Sequence, residues 1–311
     1  MDSQVHSKIL SESIVRTLAY YDLFDYPLTL EEIHRNLPTN HVNLTEIEAE
    51  LNLLSKKSII FRLGAFFSLQ NNPPLETRRL KGNLLANKYK SVAIQKAKLI
   101  AQFPFVQGVM ISGSLSKGYA DDQSDIDFFI ITKPGRLWIA RTLLVLYKRI
   151  FLFNSHKYFC VNYFIDSDHL EIEEKTLFTG TELATLIPLY GARHYHSLIK
   201  NNSWLHQFFP NFRASNEPEI KAPDNFLKKA GEWILDHLFP GVLDRFLMQI
   251  TLRRLKRMYP YFYPEDDFGI AFKTTRHVSK NHPKNYQRKI ALLYDEKLKS
   301  MLKTFTLISV A

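Results

Sequence analysis

Cysteine is nearly absent from this chain, and long apolar runs are absent altogether. Cys160 is the only cysteine among 311 residues, so the chain can form neither an intramolecular disulfide nor a zinc site made of thiolates. Because Cys160 lies in an apolar run, we expect a small buried side chain there and not a nucleophile. No apolar run approaches the ~18 residues that a membrane-spanning helix needs, and no secretory leader pattern opens the chain. We therefore expect a cytoplasmic protein.

Acidic residues are too few to balance the basic ones. The formal net charge is +10, and most of the excess lies in the last third. From Lys221 onward the chain has 17 Lys and Arg against 9 Asp and Glu, a net of +8. Such a surplus favours a polyanionic partner or an acidic substrate such as a nucleotide. A chain of 311 residues is also long for a single hydrophobic core, so we expect two or three structural units.

The most informative motif is a Gly-Ser turn followed by two alternating aspartates. Gly113 and Ser114 follow the apolar run Val109–Ile111, and Asp125 comes eleven residues after Ser114. Alternate side chains of a strand share one face, so Asp125 and Asp127 are expected to project the same way. Two adjacent carboxylates repel each other unless a cation lies between them, and Mg²⁺ is usually bound by one or two carboxylates together with substrate phosphates. Because glycine lets the turn approach those phosphates closely, the motif indicates a metal–nucleotide site.

These residues resemble the signature of the polymerase β-type nucleotidyltransferase superfamily, in which Gly-Ser and a short spacer precede Asp-apolar-Asp-apolar. The resemblance implies transfer of a nucleoside monophosphate from a nucleoside triphosphate (NTP) to a hydroxyl acceptor, with release of pyrophosphate. It also implies that Asp125 and Asp127 are catalytic and bind Mg²⁺ or Mn²⁺. The residues expected to contact the nucleotide are Gly113, Ser114 and Ser124.

The resemblance, which covers about residues 105–190, leads us to expect a third carboxylate on the strand after the next helix. Asn162 occupies that position and is our third candidate catalytic residue, although an amide cannot accept a proton as a carboxylate can. Three interpretations stay open. Asp166 or Glu171 supplies the missing carboxylate; or the enzyme uses one metal ion and an acceptor that needs little deprotonation; or catalysis is lost and nucleotide binding is kept.

Basic side chains outside the motif are further candidates for contact with phosphates. Lys117, three residues after Ser114, suits neutralisation of a terminal phosphate, but a surface lysine is equally compatible with the sequence. Residues 272–289 concentrate Lys, Arg, His and Asn beside aromatic residues, which suits either contact with a triphosphate or nucleic-acid acceptor, or a solvated helix entry. His277 and His282 lie in this segment without a third ligand nearby in sequence, which argues against a zinc site.

Residues 1–72 show helical spacing in three segments, followed by two short apolar runs around Gly64 that suit a hairpin. This order resembles a winged helix-turn-helix, a module that binds DNA through its third helix. The third helix, however, has Glu46, Glu48 and Glu50, whereas base and phosphate contacts usually come from Arg, Lys, Asn or Gln. The sequence therefore favours a docking or dimerisation role over DNA binding.

The rest of the chain is predicted as two further units, residues 73–200 and 201–311. The first opens with a basic amphipathic helix and continues as the nucleotidyltransferase core, an α/β (α+β) unit with a small mixed sheet. The second is predicted to be helical and basic. The expected core elements are strands over 106–112, 125–132 and 158–165, and helices over 76–102, 137–153 and 175–200. The expected C-terminal elements are a helix over 226–258, interrupted at Pro240-Gly241, and a last helix from near Pro283.

Two functions of different classes stay open. The first is the nucleotidyltransferase described above, acting on a small molecule, a protein or a nucleic acid, with no membrane partner. The alternative is a catalytically degenerate, nucleotide-sensing regulator that uses its winged helix to bind DNA or a partner protein. Asn162 favours the regulator, whereas the intact Gly-Ser and Asp-x-Asp elements favour the enzyme.

Overall fold

The fold is organised around one mixed sheet. A computed structural model describes residues 2–216, 219–221, 225–239, 241–259, 265–283 and 285–310. Within this part of the chain the strands form a five-stranded sheet and a separate two-stranded hairpin. The predicted α/β (α+β) class with a small mixed sheet is confirmed. Pro240 and Lys284, which belong to features predicted from the sequence, lie outside the described residues.

The N-terminal part consists of three helices and a hairpin around its own apolar core. Its elements are α1 (Asp2–Asp22), α2 (Leu30–Asn36), α3 (Leu44–Lys56), β1 (Phe61–Leu63) and β2 (Phe66–Ser68). Thr29 and Asn43 each open a helix through a capping box, in which the side chain accepts from the backbone N–H three residues later. The predicted order of elements is confirmed, whereas their assignment to a winged helix-turn-helix stays a prediction.

The middle of the chain supplies most of the sheet. Its elements are α4 (Pro74–Ile100), β3 (Val106–Ser112), α5 (Gly113–Ser116), β4 (Asp127–Thr132), α6 (Leu137–Phe151), β5 (Cys160–Asp166), α7 (Leu177–Ala184) and β6 (Ile187–Tyr190). The expectation that residues 175–200 are helical is wrong at 187–190, which form β6. Pro188 cannot continue a helix, and Gly191 has φ +75° with its Cα so close to β3 that a Cβ would lie 2.0 Å from the Gln107 carbonyl oxygen.

The sheet has the strand order β6-β3-β4-β5-β7, where β7 is Val278–Lys280. Strands β4 and β5 are parallel and connected through α6, whereas the other pairs are antiparallel. Phe128 and Ile130 of β4 belong to a core cluster with α4 and α6, and Phe129 and Ile131 belong to a second cluster with α7, α8 (Ala192–Asn201) and α9 (Leu205–Phe208). Because both faces are covered, β4 is apolar without alternation.

Apart from β7, the regular elements described in the C-terminal part are helices. Its remaining elements are α10 (Phe226–Leu238), α11 (Val242–Met258), α12 (Glu265–Ala271) and α13 (Tyr286–Val310). Helix α11 packs on α6, where Asp244 Oδ1 accepts a hydrogen bond from Ile139 N at 3.0 Å and so caps the start of α6. The division at residue 200 stays a prediction, since the sheet takes strands from both sides of it.

Among the described residues, every helix is too short or too polar to cross a bilayer.

Candidate active site

A cleft of about 1040 Å³ lies between the N-terminal helices, the end of the sheet and the C-terminal helices. Gly113, Ser114, Lys117, Asp125, Asp127 and Asn162, six of the seven residues selected from the sequence, line it together. Ser124 is the exception: its Oγ donates to Asp121 Oδ1 at 2.8 Å and accepts from Asp121 N at 2.9 Å, so it stabilises a surface turn. The further charged or titratable lining residues include Arg78, Arg141, Lys148, Arg149, His156, Cys160, Glu182, Arg254, Lys280 and His282.

The antiparallel register of β3 and β4 brings the Gly-Ser turn to the aspartates. Ser112, the last residue of β3, is paired with Asp127, the first residue of β4. Gly113 follows directly with φ +68°, and a Cβ on it would lie 2.4 Å from Asp127 Oδ2. Only glycine combines this backbone conformation with so close an approach. The turn and the carboxylate therefore form one compact unit at the end of the sheet.

Asp127 is half-buried and has a perturbed acidity. Burial is the main cause that raises its pKa to about 6, and the neighbouring carboxylates of Asp125 and Glu182 raise it further. A hydrogen bond with the Cys160 thiol and the charge of Lys117 act in the opposite direction. The carboxylates of Asp125, Asp127 and Glu182 therefore lie close together in the cleft, and the charge of Lys117 offsets only part of their effect on the pKa of Asp127.

Asn162 contacts Asp127 because of a β-bulge. In the parallel pairing Phe128 faces Val161 and Phe129 faces Tyr163, which leaves Asn162 as the extra residue on β5. Its Nδ2 donates to Asp127 Oδ1 at 2.8 Å, and its Oδ1 is buried without a hydrogen-bond partner among the described residues. Bulges of this kind commonly re-aim a side chain next to active sites. Here Asn162 fixes the orientation of Asp127 and cannot itself take up a proton.

The two acids considered as substitutes for a third carboxylate lie elsewhere. Asp166 is paired with Thr132 at the other end of β5, six residues and therefore roughly 20 Å along the strand from Cys160. Its carboxylate is completely buried and bound by two histidines. Glu171 is paired with Lys175 at 2.7 Å and does not line the cleft. The interpretation in which Asp166 or Glu171 completes the site is wrong.

Glu182 of α7 is an acidic residue of the cleft that the sequence analysis missed; Asp121, the partner of Ser124 in the surface turn, also lines the cleft. Its Oε1 lies 2.8 Å from Lys117 Nζ, which also donates to the Gly113 carbonyl oxygen at 3.0 Å. Lys117 is therefore held by the protein and is not a simple surface lysine. No local pattern marks Glu182, because it reaches the cleft only through the packing of α7 beside the Gly-Ser turn.

The cleft also has a basic wall, formed by Arg141 and Lys148 of α6 and Arg254 of α11. Burial lowers the pKa of Arg141 to about 10, and the charge of Arg254 lowers it further. The pKa of Lys148 is lowered mainly by burial. In the part of the chain that the structure describes, no carboxylate lies within ion-pair distance of Arg141 or Arg254. Such a wall is suited to a polyanionic ligand.

The predicted basic segment 272–289 divides between two places. Lys273 pairs with Glu173 and Glu174, away from the cleft. The later part of the segment enters the cleft, where burial lowers the pKa of Lys280 and brings that of His282 to about 4. His282 is thus a neutral lining residue at physiological pH, and Lys280 is the main charge that this segment contributes.

Comparison with known proteins agrees with the geometry of the cleft. Residues 94–188 match the family model described as a nucleotidyltransferase domain. This segment, 95 of the 311 residues, runs from the end of α4 to β6 and contains the Gly-Ser turn, both aspartates, the bulge at Asn162 and Glu182. No curated protein and no solved structure matches the chain. The sequence-based prediction of a nucleotidyltransferase domain is confirmed.

Proposed function

We propose that this chain transfers a nucleoside monophosphate from an NTP to a hydroxyl acceptor. The observation that carries the proposal is the arrangement of the Gly113 turn against Asp127, with Asp125 and a basic wall lining the same cleft. This places anionic ligands for a cation and cationic contacts for a triphosphate in one cavity. The match to a nucleotidyltransferase domain supports the same reaction class.

The two aspartates at or just before the start of β4 are suited to bind a divalent cation through oxygen ligands. Asp125 and Asp127 would hold it, because their carboxylates share the cleft and the pKa of Asp127 is raised by burial and by the neighbouring carboxylates of Asp125 and Glu182. When bound, Mg²⁺ or Mn²⁺ would neutralise negative charge on the phosphates. The hydrogen bond from Asn162 holds Asp127 in a fixed orientation.

The chain's other residues would bind and orient the nucleotide. Backbone N–H groups at Gly113 and Ser114 can approach the terminal phosphates because the turn has no bulky side chain at Gly113. Lys117 would contact phosphate by exchanging part of its interaction with Glu182. Arg141, whose pKa is lowered mainly by burial, and the exposed Arg254 would neutralise the outer phosphate oxygens.

Glu182 is our candidate for the group that takes the proton from the acceptor hydroxyl. It is a carboxylate of the cleft outside the aspartate pair, and its charge is close enough to raise the pKa of Asp127. Asn162 cannot perform this role, and Asp166 and Glu171 lie outside the cleft. The acceptor itself would enter beside the aromatic wall made by Tyr20, Tyr21, Phe24 and Tyr26.

The N-terminal unit would then serve as a wall of the cleft. Tyr26 Oη donates to the Lys117 carbonyl oxygen, which connects this unit to the Gly-Ser turn. Glu50 of α3 is buried and accepts hydrogen bonds from Ser7 and Ser11 of α1. These contacts support docking within the chain over DNA binding.

The second candidate function is a nucleotide-sensing regulator without transfer activity. It is favoured by one observation, the presence of an amide at Asn162, where a carboxylate would be expected. In this case Mg²⁺ would still bind to the aspartates and the NTP to the basic wall. Nucleotide binding would then change how the N-terminal unit binds DNA or a partner protein.

Transfer of label separates the two candidates. The purified chain is incubated with Mg²⁺, each α-³²P NTP, and protein, RNA or small hydroxylated acceptors. If the chain is a nucleotidyltransferase, label appears on an acceptor. This transfer is lost in D125N/D127N and retained in the matched surface control D122N. Mg²⁺-dependent NTP binding without transfer to any acceptor supports the regulator, and absence of NTP binding contradicts both.

A further inference from the structure

A second cluster of metal-ligating side chains lies at the opposite end of β5 from the cleft. It consists of Asp166, His169 and His277, whose donor atoms all lie within 4.8 Å of one another. His169 Nδ1 is 2.8 Å from Asp166 Oδ1, and His277 Nδ1 is 2.6 Å from Asp166 Oδ2. Both histidines therefore direct the same ring nitrogen to one carboxylate.

The cluster combines a buried anion with accessible nitrogen ligands. The Asp166 carboxylate is completely buried, whereas the side chains of His169 and His277 are 50% and 35% exposed. The two imidazole rings stack, with centroids 3.4 Å apart and an interplanar angle of 21°. Solvent thus reaches both imidazole side chains, and the buried carboxylate supplies a negative charge beside their Nδ1 atoms.

Both histidines are held on short, hydrogen-bonded turns. Asp168 N donates to Asp166 Oδ1 at 3.1 Å, which fixes the turn that leads to His169. On the other side, Thr275 Oγ1 accepts from the backbone N–H groups of His277 and Val278. The ligands are therefore preorganised on backbone that is rigid before any ion binds.

We propose that Asp166, His169 and His277 bind one Zn²⁺ ion, which acts as a structural clamp between β5 and the C-terminal strand β7. Two imidazoles and one carboxylate are ligands that zinc takes in proteins, a bound water would complete its four-coordinate shell, and nitrogen ligands disfavour Mg²⁺, which prefers oxygen. Donors at 2.0–2.1 Å from a tetrahedral zinc ion are about 3.3 Å apart, so the donor atoms, now within 4.8 Å of one another, would move closer, and the stacked rings would turn so that both nitrogens face one ion.

The clamp would matter for the cleft because β7 leads into it. Asp166 N donates to the His277 carbonyl oxygen at 3.0 Å, and four residues later Asn281 N donates to the Asn162 carbonyl oxygen at 2.9 Å. The strand between them therefore connects the zinc site to the bulge that orients Asp127. The zinc ion closes a loop of 111 residues. The inference does not depend on the proposed transfer reaction.

The test uses the full chain after treatment with a chelator, in excess Mg²⁺ to occupy oxygen sites. Zn²⁺ binding is measured by calorimetry, and H169Q and H277Q are compared with the exposed-histidine control H6Q. Glutamine can still donate a hydrogen bond to Asp166 but is a poor zinc ligand, and the melting temperature without metal shows that each variant folds. The C160S variant shows whether Zn²⁺ binds instead to the Cys160 thiol in the cleft.

We expect one Zn²⁺ per chain, affinity at least tenfold weaker in H169Q and H277Q and unchanged in H6Q and C160S, and a rise of about 5 °C in the wild-type Tm at saturating Zn²⁺. If a variant fails to fold, the visible absorption spectrum of the wild-type chain with Co²⁺ identifies the ligands instead. Two imidazoles and a carboxylate give visible bands without a thiolate-to-cobalt band. The proposal would be overturned if all variants bound Zn²⁺ with equal affinity, or if only C160S lost Zn²⁺ binding. A thiolate-to-cobalt band in the Co²⁺ spectrum, or no uptake of Zn²⁺ by the wild type, would also overturn it.

Discussion

Replacing Asp127 by asparagine should stabilise the metal-free protein above pH 6 while removing its metal binding. The physical reason is that burial raises the pKa of this carboxyl from 3.8 to about 6. The unfolded chain loses the proton near 3.8 and the folded chain only at about 6. The folded state therefore bears a cost that is absent below both values, grows between them and is complete above about pH 6.

The magnitude follows from the same two values. One pKa unit corresponds to about 1.4 kcal/mol, so a difference of about two gives an upper value of about 3 kcal/mol. Asp127 is half-buried and faces an open cleft, so water reduces this value, and we expect a gain of about 1–3 kcal/mol in D127N. Asparagine still offers an oxygen to Asn162 Nδ2, which preserves the hydrogen bond of the wild type.

The assay is urea unfolding of wild type, D127N and the exposed-site control D122N, without divalent ions, at pH 8 and at about pH 3.5. The free energy of unfolding of D127N should exceed that of the wild type at pH 8 and equal it at about pH 3.5. D122N should have the wild-type free energy of unfolding at both pH values. Addition of Mg²⁺ should raise the stability of the wild type but not of D127N. A D127N variant that is less stable at pH 8, or a difference that does not change with pH, would refute the reasoning.

Three further predictions concern the turn, the N-terminal unit and pH. Urea unfolding should show that G113A loses about 2–4 kcal/mol, because its Cβ meets the Asp127 carboxylate, whereas G118A, with φ +73° and open space, loses only about 1. E32Q should lose about 2–4 kcal/mol by leaving the buried Arg79 guanidinium without its anionic partner, and the exposed E31Q should be near neutral. Calorimetry should show Mg²⁺ affinity falling about tenfold per pH unit below about 6, as the cleft carboxylate takes up a proton.

Local patterns were sufficient for the elements that form the end of the sheet. Strands β3 and β4 and helix α6 follow from apolar runs and from the Pro134-Gly135 break, and the capping box at Thr29 marks the start of α2. The Gly-Ser turn and Asp127 could be placed together because an antiparallel return is enough to bring them there, whereas Asp125, expected on the same strand, precedes β4, which begins at Asp127.

The remaining parts of the site depend on contacts between distant segments. The bulge at Asn162 is set by the register of β5 on β4, and a shift of one residue in register has no local signature. Glu182 and Arg254 enter the cleft through helix packing. His277 appeared to lack a third ligand because Asp166 lies 111 residues away in sequence and becomes its neighbour only when β7 pairs with β5.

The central claim is that Asp125 and Asp127 bind a divalent ion together with an NTP, and Mn²⁺ binding followed by electron paramagnetic resonance tests it most directly. We predict that an NTP strengthens Mn²⁺ binding to the wild type, that D125N and D127N each abolish this effect, and that D122N retains it. Undiminished NTP-dependent Mn²⁺ binding in both cleft variants would contradict the account.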